Sequence, residues 1–174
     1  MKKAISFDLE TLDSRASAVV LSIGAVIFDE KDLFDEVHIK LSIDDQLRWG
    51  RTVGGSTLLW WFEQSGEARL AVTSAPRPLL KALHTFAGFV RIAGPKAQLW
   101  ANGQDFDVGI LGSLYDTVGQ QRPWAYNAGR DMRTLVEVTG GKKPDVPREG
   151  EKHDALSDAK HQARIIQHLL KGQS

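Results

Sequence analysis

Residues 18–28, Ala-Val-Val-Leu-Ser-Ile-Gly-Ala-Val-Ile-Phe, restrict this chain more than any other stretch. As a strand the segment is apolar on both faces, so it needs cover above and below, which only the interior of a sheet provides. It is also too short to span a bilayer. The segments on either side alternate at period two. Before it, Ile5, Phe7 and Leu9 point one way while Ala4, Ser6, Asp8 and Glu10 point the other. After it, across residues 33–43, Leu33, Val37, Ile39, Leu41 and Ile43 stand against Glu36, His38 and Lys40. Three consecutive strands with short links predict an antiparallel meander at the start of the domain.

The pattern then turns helical. Ser56 caps a stretch running to about Val72, which Gly66 divides into two short helices. A further helix follows Pro76 and Pro78, carries Leu79, Leu83, Phe86, Ala87 and Val90 on one face, and ends at Gly94-Pro95. Gln98-Leu99-Trp100-Ala101 reads as a short strand, and Asp105 as the cap of a helix from Phe106 to about Val118. Residues 119–130 read as loop, Asp131–Val138 as a short helix closed by Gly140-Gly141, and residues 142–150 as a polar loop. The last helix spans Asp154 to about Leu170, with a stripe of Leu156, Ala159, Ala163, Ile166 and Leu170 broadened by Ile165 and Leu169. This order predicts an α/β architecture, a mixed sheet flanked by helices. With 174 residues and no repeat or linker, the expectation is one domain, residues 1–174.

Composition narrows the chemistry. The absence of cysteine removes disulfides, thiolate zinc sites and cysteine nucleophiles. Lys2 and Lys3 resemble the start of a signal peptide, but Asp8 interrupts before any apolar region forms, so a soluble cytoplasmic protein is expected. The 22 Lys plus Arg residues balance 22 Asp plus Glu. That neutrality argues against an extended basic footprint on a duplex. It leaves room for a grip on a few nucleotides, with bound cations supplying positive charge locally.

Three short motifs carry the candidate chemistry. Asp8 and Glu10, two residues apart, share one strand face and repel unless a proton or a cation sits between them. The alternative is a solvated strand end whose acids pair with Lys2, Lys3 or Arg15. In Asn102-Gly103-Gln104-Asp105-Phe106-Asp107 the spacing predicts Phe106 anchored in the core, Asp105 capping and Asp107 facing outward as a ligand; the alternative makes both acids ordinary first-turn residues. His153 precedes the last helix, Asp154 caps it, and Asp158 lies a little over one turn inside. A loop histidine there can lean over a cleft and take a proton from water. The alternative leaves His153 on the surface and Asp158 paired with Lys152 or Arg164. His38, His84, His161 and His168 have no usable spacing from an acidic motif.

Taken together, acid-x-acid near the start, Phe-Asp in mid-chain and His-x4-Asp near the end resemble the DEDDh branch of the DnaQ-like exonucleases, over almost the whole length. The segment Ser56–Ser65 and Arg133-Thr134-Leu135 are similar to the small bacterial and phage 3'-5' exoribonuclease group typified by mycobacterial RNase AS. The resemblance implies a ribonuclease H-like three-layer fold with an antiparallel start to its mixed sheet. It implies that Asp8, Glu10, Asp107 and Asp158 bind two Mg2+ or Mn2+ ions and that His153 is the general base. The implied reaction is in-line attack of an activated water on the terminal phosphodiester of single-stranded RNA, releasing a nucleoside 5'-monophosphate. Thr11 and Leu12 then fall where the last nucleotide would sit, and a homodimer is implied as well. The alternatives are the same chemistry on single-stranded DNA, a non-catalytic nucleic-acid-binding module of the same fold, and a structural metal-binding protein. Trp60 and Trp61 invite a base-stacking role. Neighbouring helix positions diverge by about a third of a turn, so at most one can face a ligand; core packing or a subunit interface is the simpler expectation.

Overall fold

The structure is a computed structural model that describes residues 3–172; Lys2, one suggested partner for the acids of the first motif, lies outside them. The all-apolar segment becomes β2 (Val20–Phe28), buried at every position and paired antiparallel on both sides, with β1 (Ala4–Thr11) and β3 (Leu33–Lys40). Beyond β1 the sheet continues in parallel through β4 (Leu99–Ala101) to β5 (Gly129–Asp131), giving the order β3-β2-β1-β4-β5. The meander is therefore present, and β1, which carries Asp8 and Glu10, is the central strand.

Seven helices are present among the described residues: α1 (Ile43–Arg48), α2 (Gly55–Glu63), α3 (Gly66–Thr73), α4 (Leu79–Ala93), α5 (Gln104–Thr117), α6 (Met132–Val138) and α7 (Ala155–Lys171). Period two on β1 divides them between the two faces of the sheet. Ile5, Phe7 and Leu9 pack with Leu79, Leu83 and Phe86 of α4 and with Ile110, Leu111 and Leu114 of α5. Ala4, Val26 and Phe28 pack on the opposite face with Ile165, Ile166 and Leu169 of α7 and Met132 of α6. A third cluster, Leu12, Val19, Leu21, Trp61 and Val72, seats α2 and α3 beside the end of β1. No helix among the described residues is long and apolar enough to cross a membrane.

Local signals explain where this architecture departs from the sequence reading. The third strand stops at Lys40 rather than Ile43, because Ser42 caps α1 by accepting the Asp45 N–H at 3.3 Å. Asp44 and Asp45 in that first turn suit a helix N-terminus. The cap of α2 is Gly54 rather than Ser56, whereas Ser65 caps α3 by accepting the Ala68 N–H. β5 takes the last two residues of the stretch read as loop and Asp131, read as the start of a helix; it is three residues long and its ladder to β4 is made by backbone alone, so it leaves no alternation to read. Asp131 caps α6 and Asp154 caps α7 through the N–H groups of Thr134 and Ser157.

One glycine positions the last helix. A Cβ on Gly24 would stand 2.1 Å from the Ala155 carbonyl carbon and 2.1 Å from the Leu156 nitrogen. The first turn of α7 thus rests directly on β2, and Gly24 is the register partner of Asp8. This close approach buries Ala155 and leaves Leu156 only partly covered, so the apolar stripe begins at Ala155 rather than Leu156.

Candidate active site

The three motifs meet at the end of β1. Asp8 and Glu10 share the face covered by α7, with Asp8 partly open to the cleft and Glu10 only 8% exposed. Asp107 reaches them from the first turn of α5, where its Oδ1 accepts the Leu9 N–H at 3.3 Å. Asp158 comes from the first turn of α7, and its Oδ2 accepts the His153 N–H at 3.0 Å. Donor atoms of Glu10, His153 and Asp158 lie within 4.8 Å of one another.

The second motif corrects an expectation. Phe106 is 39% exposed and Asp107 is buried at 4%, the reverse of the predicted facing. The helix starts earlier than the pattern suggested: Gly103, at φ +131°, is the cap residue, and the turn is closed by Asp131, whose Oδ2 accepts the Gln104 N–H at 2.7 Å. That shift rotates Asp107 inward and leaves Asp105 exposed and without a capping role. Asp105 instead lines a cavity of ≈ 470 Å³ together with Gln104, Phe106 and Arg133.

Among the described residues, neither Arg15 nor Lys3 neutralises Asp8 or Glu10. Arg15 is bound to Asp13, and Lys3 lies over the Phe34 ring at 4.4 Å. Asp158 is paired, but with Arg148 of the polar loop rather than with Lys152 or Arg164. Thr11 and Leu12 also sit differently from expectation. The Thr11 hydroxyl donates to the Asp13 carbonyl at 2.8 Å, and Leu12 is buried in the cluster around Trp61. Both side chains are turned into the fold.

Two contributors escaped the sequence reading. Gln162 donates to Asp8 Oδ1 at 2.7 Å. The available signal was a polar residue on the buried stripe of α7, one turn beyond Asp158. Arg148 left no such signal, since its loop has no periodicity. Trp61 is core, as expected, but its Nε1 also donates to the Thr11 carbonyl at 2.8 Å.

The electrostatics explain what such a site needs. Burial, reinforced by Asp107, Glu10 and Asp158, pushes the Asp8 carboxyl well above the usual range against the Gln162 hydrogen bond. Burial, followed by the charges of Asp158, Asp154 and Asp107, pushes Glu10 up to about 8. Burial raises Asp107 to about 7, although the Leu9 N–H and Arg133 pull it down. Hard oxygen donors that crowd one another out of water fit divalent cations, which supply the missing positive charge. The residues present therefore suit the cations implied by the three motifs.

The fold has clear relatives among solved structures. The nuclease domain of 3'hExo, a DEDDh family member bound to rAMP, aligns with TM-score 0.60 at 11% identity, over 98% of this chain and 91% of that one. Cell-death related nuclease 4 (CRN-4) aligns with TM-score 0.58 at 13% identity over 98% of this chain, which spans only 64% of that protein. The Mg2+- and Mn2+-bound form of S. pombe Pop2p aligns with TM-score 0.56 at 14% identity, over 95% and 82%. No curated protein matches the sequence. The fold is ribonuclease H-like, a mixed sheet flanked by helices as expected. Residues 3–170 match the model of the Rv2179c-like 3'-5' exoribonuclease domain, and the chain belongs to that family.

Proposed function

We propose that this exonuclease removes nucleotides one at a time from the 3' end of single-stranded RNA, with Asp8, Glu10, Asp107 and Asp158 as the ligands of two Mg2+ or Mn2+ ions and His153 as the general base. The observation that carries the reading is the convergence of those four carboxylates and the histidine at one strand end. The cations, when bound, supply Lewis-acid activation of a water and stabilisation of the departing oxygen. His153 accepts the proton of the attacking water from its place in front of α7. Asp107 is held by the Leu9 N–H and Asp8 by Gln162, so both carboxylates are oriented before substrate arrives. Attack at the terminal phosphorus breaks its bond to the 3'-oxygen of the preceding nucleotide and frees a nucleoside 5'-monophosphate. Thr11 and Leu12, whose side chains are turned inward, shape the strand end beside which the terminal nucleotide lies.

The preference for RNA rests on the family description, and the protein working as a homodimer on the exposed Leu59, Phe62 and Leu70 of α2 and α3. Chromatography of the products tests the chemistry. Nucleoside 5'-monophosphates from a 3'-hydroxyl oligoribonucleotide, with turnover lost in His153→Asn, are expected. Nucleoside 3'-monophosphates or internal fragments would overturn it. Calorimetric titration with Mn2+ should count two sites, and a single site would remove the two-cation reading.

A further inference from the structure

Trp60 does not take the core role that its sequence suggested. It is 38% exposed, so it is not core, and its ring is already engaged within the chain. Its centroid lies 4.8 Å from that of the His153 imidazole, with the two planes at 90°. The edge-to-face arrangement is the favoured one for aromatic pairs at this distance. Behind it, the Trp61 ring stands at 5.1 Å and 79°, and Trp61 is fixed by its Nε1 bond to the Thr11 carbonyl. Thr11 follows Glu10 on β1. A continuous path of contact therefore runs from the acid-bearing strand end through Trp61 and Trp60 to His153.

His153 needs such a support. Its backbone lies at φ +63°, a region that residues other than glycine rarely adopt and that surrounding contacts must hold. The Asp158 carboxylate secures the backbone through the His153 N–H, which leaves the side chain to be oriented separately. A catalytic histidine is ordinarily oriented by a hydrogen bond to its second ring nitrogen. Among the described residues no hydrogen bond reaches either imidazole nitrogen of His153, and the ring that meets the imidazole is that of Trp60.

We propose that Trp60 is a positioning residue that orients the His153 imidazole toward the attacking water, in place of the usual hydrogen-bonded partner. This rests on the reading of His153 as the base. The ring acts by contact, so an aromatic replacement keeps the function and an aliphatic one loses it.

The test compares Trp60→Phe and Trp60→Leu with wild type and His153→Asn, using single-stranded RNA at saturating Mn2+, alongside NMR of the histidine ring protons in the cation-free protein. Trp60→Leu is expected to lower kcat about 10- to 100-fold while KM stays within about twofold, as misplacement of a base requires. Trp60→Phe should recover most of that loss. The His153 ring resonances, identified by their absence in His153→Asn, should shift in Trp60→Leu while those of His84 and His168 stay in place. Unchanged kcat with unshifted His153 resonances would overturn the proposal. A rise in KM at constant kcat would overturn it in favour of direct contact with a nucleotide base. Retained turnover in His153→Asn would instead remove the reading of His153 as base and this proposal with it, whereas an inactive His153→Asn beside a fully active Trp60→Leu removes the proposal alone.

Discussion

Glu10 offers a direct handle on the electrostatics of the acid cluster. Its carboxyl is raised from 4.5 to about 8, by burial first and then by Asp158, Asp154 and Asp107. A group whose folded pKa lies above its unfolded value contributes stability that is present below the unfolded value and lost as pH rises through the folded one. In EDTA, Glu10 should therefore be protonated and harmless below pH 4.5 and increasingly destabilising up to about pH 8. The full move corresponds to about 5 kcal/mol. Asp8 and Asp107 compete for the same protons, and local relaxation lets water in, so about 2–3 kcal/mol is the effect to expect. At about 2–4 °C per kcal/mol for a chain of this size, Glu10→Gln should melt about 5–10 °C above wild type at pH 8 in EDTA. At pH 4.5 the two proteins should melt together, and Mn2+ at pH 8 should raise wild type more than the variant. His38 and His161, both pushed down chiefly by desolvation, lose stability as pH falls, the opposite sense. Both are common to the two proteins, so the difference in calorimetric Tm isolates Glu10. A variant no more stable than wild type at pH 8 in EDTA, or equally more stable at pH 4.5, would refute the reasoning.

Further consequences concern the other parts of the site. Arg148 occupies Asp158 with its guanidinium, so Arg148→Ala should tighten Mn2+ binding by about three- to tenfold in calorimetry; weaker binding would mean that the arginine supports the ligand instead of competing for it. Gly24→Ala drives a methyl group into the backbone of α7 and should cost about 3 kcal/mol or more in urea unfolding. It should also lower turnover, because α7 carries Asp158. Asp107→Asn should weaken Mn2+ binding and lower kcat by about 100-fold or more, while Asp105→Asn, on the exposed side of the same turn, should leave both unchanged.

The strands and the acids were legible because each is a local pattern. Alternation on residues 4–10 put Asp8 and Glu10 on one face, and that is the face α7 covers. Helix phase was harder to read. Asp131, distant in sequence, closes the first turn of α5, and the resulting shift in its start exchanged the positions of Phe106 and Asp107. Contacts between remote segments left weaker traces still. Gly24 looked like an interruption in an apolar strand until Ala155 was seen resting on it. Gln162 meets Asp8 across 154 residues of chain and Arg148 meets Asp158 across 10, while Trp60 meets His153 from the other half of the sequence, so only folding brings these partners together. The sequence carries no periodicity that would mark such meetings in advance.

The most direct test of the central claim is digestion of 5'-labelled single-stranded RNA and DNA of matched sequence, with Mn2+, Mg2+ or EDTA, beside Asp8→Ala. The account predicts a ladder that shortens from the 3' end, runs faster on RNA, requires the cation and is absent in Asp8→Ala. Cleavage that persists in EDTA or in Asp8→Ala would contradict it, as would an intact substrate in the presence of demonstrably bound Mn2+.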